Sequence, residues 1–233
     1  MDPREIRRRL LENLQGVRGR IERRRPQGGP EVKLVVVTKQ VGPQMVQALF
    51  ELGEREFGES RVSDALTKAQ LLRLEGARWH MIGHLQRNKA AKVFGLFYMV
   101  HSVDSLELAE ILARRAEEEK APLEVLIQVN TTDEPQKRGV RPDQARSMVE
   151  HVSALKSLRV RGLMTMARLS GDAEEARPAF RLLSEIFSAV RNQGLVGPEF
   201  SELSMGMSQD YAVAVEEGAT IVRVGSAIFE GLK

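Results

Sequence analysis

Apolar residues recur at Ile6, Leu10, Leu14, Val17 and Ile21, with arginines and glutamates between them. That spacing predicts a leading amphipathic helix over 4–25. PQGGP at 26–30 then breaks the helix. Leu34 to Val37 follow as an uninterrupted apolar run ending in Thr38 and Lys39. A run of this kind reads as a strand buried on both faces, as in a parallel sheet.

From there the chain alternates. Gly42-Pro43 opens a helix to Leu52. REFG at 55–58 is a second strand, and Ser60 is read as the cap of a helix to about 74. RWHMIG at 78–83 is a third strand, before a helix over 86–94. FYMVH at 97–101 is a fourth, with Asp104 or Ser105 capping a helix to 120. LEVLIQV at 123–129, RVRGLM at 159–164, LSM at 203–205 and TIVRV at 220–224 complete eight strands. Helices are expected over 142–155, 173–192 and 209–217, with a terminal segment over 227–232.

Eight strand–helix units at this length predict an α/β fold: a single (β/α)8 TIM barrel with an extra N-terminal helix. The expected organisation is one domain over 1–233, of which 1–30 is the leading helix and linker. A doubly wound open sheet is the alternative. Its glycine-rich phosphate turn is missing from the first βα turn, TKQVGP.

Composition narrows the classes. The chain has 233 residues, 42% of them hydrophobic, and no cysteine. Disulfides, thiolate metal sites and cysteine nucleophiles are excluded, which fits a cytoplasmic location. No apolar run approaches the ~20 residues of a membrane span, and the charged N-terminus does not resemble a secretory signal. A net charge of +3 with 5% aromatic residues gives no base-stacking surface. The basic cluster at Arg18 to Arg25 reads as the solvated side of the first helix.

In a barrel, chemistry collects after the strands. Those positions hold Lys39, Glu59-Ser60, Gly83-His84, His101-Ser102, Asn130, Lys137, Thr165, 204–208 and 223–226. Hydroxyls, small residues and cations dominate, which suits an anion better than acid–base work by paired carboxylates. SMGMS at 204–208 and Gly225-Ser226 lie where barrels often hold a phosphate, although the first could be only a tight turn with a helix cap. Partial burial of Lys39 would favour the neutral amine that a Schiff base requires. Lys39 facing such a cradle suits pyridoxal 5′-phosphate, with Arg223 pointing into the same mouth towards the ring nitrogen. His80 and His84 stand four apart without an acidic third ligand, so His80 is expected to be a packed core histidine. His101 is expected at the mouth or as a helix cap. The methionines at 164, 166, 205 and 207 are expected to pack, and no Asp–His pair supports a serine triad.

The motifs VVVTK (35–39), FGESRV (57–62), WHMIGHLQRNK (79–89) and HSVDS (101–105) stand in a recognisable order. QVNTTDEPQKRG (128–139), RGLMTM (161–166) and the stretch 203–229 continue it. Over nearly its whole length the chain resembles the pyridoxal phosphate homeostasis proteins, the YggS/PROSC-like family, related to the alanine racemase N-terminal barrel. The resemblance implies pyridoxal 5′-phosphate as a Schiff base on Lys39, with Arg223 at the ring nitrogen. It also implies cofactor contacts from Ser60, His84, Ser204, Met205, Gly225 and Ser226, with Lys137 near the site. Ser60 departs from the family's usual Asn, Ser226 from a frequent Thr, and Glu230 from a glycine. The implied role is to carry or buffer the cofactor and maintain vitamin B6 and amino-acid homeostasis, without turnover. The alternative is a PLP-dependent amino-acid racemase, which needs a second base, and the chain's tyrosines, Tyr98 and Tyr211, are expected inside a strand and a helix. Partners are expected to be PLP-dependent or PLP-supplying enzymes met transiently, with no nucleic acid and no membrane. The chain is expected to be a monomer.

Overall fold

The computed structural model describes residues 2–132, 134, 136–168 and 170–232. Eight parallel strands close into a barrel in chain order: β1 (Lys33–Val37), β2 (Glu56–Glu59), β3 (Arg78–Met81), β4 (Phe97–Val103), β5 (Leu123–Gln128), β6 (Leu158–Met164), β7 (Glu202–Ser204) and β8 (Ile221–Val224). Closure runs through β1 and β8, which pair Val35 with Arg223 and Val36 with Val224. The expected fold is the one observed.

The strands are nearly all buried because each faces two apolar layers. Outward residues such as Leu34, Val36, Phe57 and Val222 pack under the helices. Inward residues Val35, Met99, Leu126, Met164 and Ile221 form a separate cluster inside the barrel. The helices are α1 (Pro3–Arg24), α2 (Pro43–Glu51), α3 (Val62–Leu72), α4 (Leu106–Glu118), α5 (Ala145–Ser153), α6 (Arg177–Asn192) and α7 (Tyr211–Glu216). In α1 the buried stripe is Leu10, Leu14, Val17 and Ile21, and Asp2 caps its start. The helix packs against α2 and α7. Several of its arginines are tied to the barrel's outer layer: Arg18 donates three hydrogen bonds to the Glu54 carboxylate, and Arg24 pairs with Glu216. Among the described residues no helix is long and apolar enough to cross a membrane.

Three local expectations need correction. The segment 86–94 is a 3-10 helix over Arg87–Val93 and not an α-helix. The expected helices at 142–155 and 173–192 each begin with a 3-10 turn, Pro142–Gln144 and Ala173–Ala176, before α5 and α6. Ser60 does not cap α3: the helix starts at Val62, its N-cap is Arg61, and no side chain caps it. Ser105, by contrast, does cap α4, its hydroxyl accepting from the Leu108 amide.

Candidate functional site

A cavity of about 350 Å³ opens at the C-terminal end of the strands. It brings together Lys39, Ser60, Arg223, Gly225 and Ser226 from the predicted set, and adds Gln40, Met166, Ser208, Gln209 and Phe229.

Lys39 stands two residues past the end of β1, and its side chain is exposed, so the expected partial burial that would favour a neutral amine is absent. Its position is fixed from behind. The Thr38 amide donates to the Gly58 carbonyl at 3.0 Å and the Val41 amide donates to the Thr38 carbonyl at 3.1 Å. Lys68, reaching in from α3, donates to the same Thr38 carbonyl at 2.7 Å. It also donates to Glu59 Oε1 at 2.6 Å, as does the Thr38 hydroxyl at 2.6 Å. Glu59 and Lys68 are buried between barrel and helix. A buried pair of this kind costs desolvation on both sides and is recovered only through good geometry and shared hydrogen bonds.

Arg223 is held at its tip. It is 3% exposed, and its guanidinium donates to Ser204 Oγ at 2.5 Å and to the Thr165 carbonyl at 2.8 Å. Burial pulls its pKa down to about 10, against the charge of Asp210, so it remains a cation near neutral pH.

Behind Arg223 a file of polar groups descends through the barrel. Ser204 Oγ lies 2.9 Å from His101 Nδ1, His101 Nε2 lies 2.9 Å from His80 Nδ1, and His80 Nε2 lies 2.6 Å from Glu56 Oε2. The roles follow from chemistry. An ionised carboxylate only accepts, so His80 Nε2–H donates to Glu56. The other nitrogen of a neutral His80 must then accept from His101 Nε2–H. His101 Nδ1 in turn accepts from the Ser204 hydroxyl, whose oxygen accepts from Arg223. Every donor points the same way, from the mouth towards Glu56.

The titration directions agree. Burial holds both histidines below their ordinary pKa, His101 well below because His80 and Arg223 add to it, while Glu56 partly offsets the effect at His80. Burial raises Glu56, but the His80 hydrogen bond, with the positive charges of His80 when protonated, Arg78 and Lys33, outweighs it and leaves Glu56 below the usual carboxylate range. His80 is thus buried as expected, but it is a link in this file. His101 is neither at the mouth nor a cap, because β4 continues to Val103 and keeps it inside the barrel. Among the described residues no group of three or more His, Cys, Asp or Glu could hold a metal ion.

The far side of the cavity is a donor-rich turn. Ser208 Oγ accepts from the Gly225 amide at 3.1 Å and the Ala227 amide at 3.4 Å. The preceding loop turns through Gly206, at φ +91°, where an added Cβ would come within 2.6 Å of the Ala214 methyl. Asp210 fastens this loop, accepting from the Met207 amide at 2.6 Å. Burial raises the Asp210 pKa, with the Met207 amide and Arg223 opposing.

Three predicted contacts stand elsewhere. Ser204 and Met205 are fully buried beneath the cavity and do not line it. Ser204 ends β7 facing inward, and its hydroxyl is already committed to His101 and Arg223. Ser208, four residues on, takes the wall position. His84 is exposed, 3.4 Å from Asp104, and lines a neighbouring cleft. Lys137 lies in the loop after β5, 2.6 Å from Glu134. Glu59 stood among the positions after the strands, but its partner Lys68, which sequence reasoning missed, leaves little signal: a lysine inside a helix ordinarily reads as solvated.

Comparison with known proteins gives a consistent result. The family model for the alanine racemase N-terminal domain matches residues 9–232. A pyridoxal phosphate homeostasis protein of Aquifex aeolicus is 36% identical over 95% of this chain and 94% of its own length. The solved structure of PipY from Synechococcus elongatus with PLP bound superposes with a TM-score of 0.83 at 35% identity, covering 94% of this chain and 99% of that one. A crystal structure of an unknown protein from Bifidobacterium adolescentis gives a TM-score of 0.90 at 32% identity, covering 98% and 97%.

Proposed function

The chain belongs to the alanine racemase N-terminal domain family and to the pyridoxal phosphate homeostasis proteins, and from that premise we propose that it carries or buffers pyridoxal 5′-phosphate, held as a Schiff base on Lys39. The observation that carries this reading is a single cavity with an exposed amine on one wall, a buried guanidinium at another and a donor-rich turn opposite.

The residues fit that molecule. Lys39 offers the amine. The hydroxyls of Ser208 and Ser226 suit a phosphate, and the Gly225 amide, donating to Ser208 Oγ, holds that hydroxyl in place. Gly225 can pass this close because an added Cβ would stand only 3.2 Å from the Val37 carbonyl oxygen. Arg223 presents guanidinium N–H groups towards a ring nitrogen. When bound, the cofactor supplies an aldehyde for Lys39 and a ring whose power as an electron sink depends on protonation of its nitrogen. Arg223 remains a cation near neutral pH and holds its protons, so it favours an unprotonated nitrogen and a weak sink.

Turnover would also require a base on each face of the substrate carbon. Among the described residues the cavity's titratable side chains are Lys39 and Arg223. Tyr98 lies near the start of β4, 38% exposed beside His80 and Arg78 and away from the cavity, and Tyr211 is buried in α7. This supports a carrier in preference to a racemase. Chiral analysis of L-alanine and other L-amino acids incubated with cofactor-loaded protein tests it: the reading expects retained configuration, and rapid racemisation would overturn it.

A further inference from the structure

A second and larger cavity, about 760 Å³, opens beside the first, between the start of α3, the loop after β3 and the 3-10 helix over Arg87–Val93. Its rim carries Arg61, Lys89 and Lys92, and among the described residues its lining has no aspartate or glutamate. The neighbouring cations are neutralised: Lys68 by Glu59, Arg87 by Glu107, and His84 lies against Asp104. Arg61, Lys89 and Lys92 have no carboxylate within 4.0 Å among the described residues. Three uncompensated cations around one concavity favour an anion there. Asp64 stands on the adjacent first turn of α3, outside the lining, and accepts from the Ser63 hydroxyl at 3.1 Å.

The cleft is not uniformly polar. Val62, Met81 and Leu85 are buried and form an apolar patch, while Ser63, Thr67 and Gln70 add hydrogen-bonding groups. Cations with an apolar patch suit a ligand that has a charged end and a flat body. The wall between the two cavities is built from Ser60 and Gly83, which line both. Their backbones are in such close contact that a Cβ on Gly83 would lie 2.4 Å from the Ser60 carbonyl oxygen. The cavities therefore adjoin without merging, and both can be filled at once.

We propose that this cleft is a second anion-binding site, for a phosphate monoester carried on a ring-sized body. The site does not rest on the Schiff base at Lys39. A phosphate dianion presents three acceptor oxygens, which matches several separate cationic and hydroxyl donors better than a carboxylate does.

Titration calorimetry on cofactor-loaded protein, whose first cavity is filled, tests this with three probes: adenosine 5′-monophosphate, pyridoxine 5′-phosphate, whose alcohol cannot form an imine, and inorganic phosphate. Saturable binding of at least one ring-bearing ester, tighter than that of inorganic phosphate, is expected. Preference between the two esters separates a nucleotide from a cofactor-like ligand, and either supports the site. The double variant Lys89→Glu/Lys92→Glu, at two exposed positions, should weaken binding at least about tenfold. Ser226→Glu, which places a carboxylate in the other cavity, should leave it unchanged. Absence of saturable binding to any probe would overturn the proposal. So would binding that Ser226→Glu removes and the double variant leaves intact. Circular dichroism confirms that each variant is folded, and a visible imine band, read separately, reports on Lys39 alone.

Discussion

Lys39 and Arg223 line one cavity, yet they are held in opposite ways. Arg223 is fixed at its tip by Ser204 and Thr165, at the head of a file of hydrogen bonds that ends at Glu56. Among the described residues nothing holds the tip of Lys39, and the clamp lies in the backbone behind it, through Thr38, Glu59 and Lys68. The difference matches the two tasks. A group that must meet an incoming aldehyde needs reach, whereas a group that sets the character of a ring nitrogen needs a fixed place and a fixed charge. The two supports also lie on opposite sides of the barrel wall, one facing the helices and one facing the axis.

The sharpest way to break the comparison is to remove one charge from the clamp. Glu59→Ala leaves Lys68 buried without its carboxylate, and thermal or urea unfolding should show a loss of about 3–5 kcal/mol. The double variant Glu59→Leu/Lys68→Met, which removes both charges, should recover much of it.

On the other side, Ser204→Ala removes the acceptor of Arg223 and the donor to His101 together. A loss of about 1–3 kcal/mol in stability is expected. Because the tip of Arg223 loses its anchor, cofactor titration should also show weaker affinity and an altered absorption band. A band identical to that of the unmodified protein would mean that the file does not govern the guanidinium.

The file should also give stability a pH dependence. Both buried histidines have folded pKa values below their unfolded ones. Below about pH 6.5 the unfolded chain therefore binds more protons than the folded one, and stability falls as pH falls, by at most about 1.4 kcal/mol per pH unit per histidine. Melting temperatures between pH 7 and 5 should drop, and His101→Gln should flatten the slope. Glu56, held below the usual carboxylate range, adds a loss in the same direction at lower pH. The smallest effect is expected from Thr38→Val, which removes one hydroxyl bond to Glu59 and keeps the carbonyl that Lys68 grips; about 0.5–1.5 kcal/mol is expected.

Much of this was legible beforehand because barrel strands buried on both faces announce themselves as apolar runs. The runs at 34–38 and 123–129 marked β1 and β5 closely, and positions after the strands led to Lys39, Gly225 and Ser226. Arg223 was legible too, since alternation along β8 turns it inward. Ser204 was misplaced because β7 is only three residues long, Glu202–Ser204, and the side on which it ends decides whether its last hydroxyl meets the cavity or the barrel axis. The His80–His101 contact joins residues 21 apart on adjacent strands, where the β3–β4 register shifts. Spacing along the chain cannot reveal that. Lys68 was invisible for a related reason: only the fold brings Glu59 to it and makes its burial tolerable.

The most direct test of the central claim is to reduce cofactor-loaded protein with borohydride and map the modified residue by peptide mass spectrometry. The account predicts a single reduced adduct on Lys39, absent from Lys39→Ala. An adduct carried mainly by another lysine such as Lys137, or retained in full by Lys39→Ala, would contradict it.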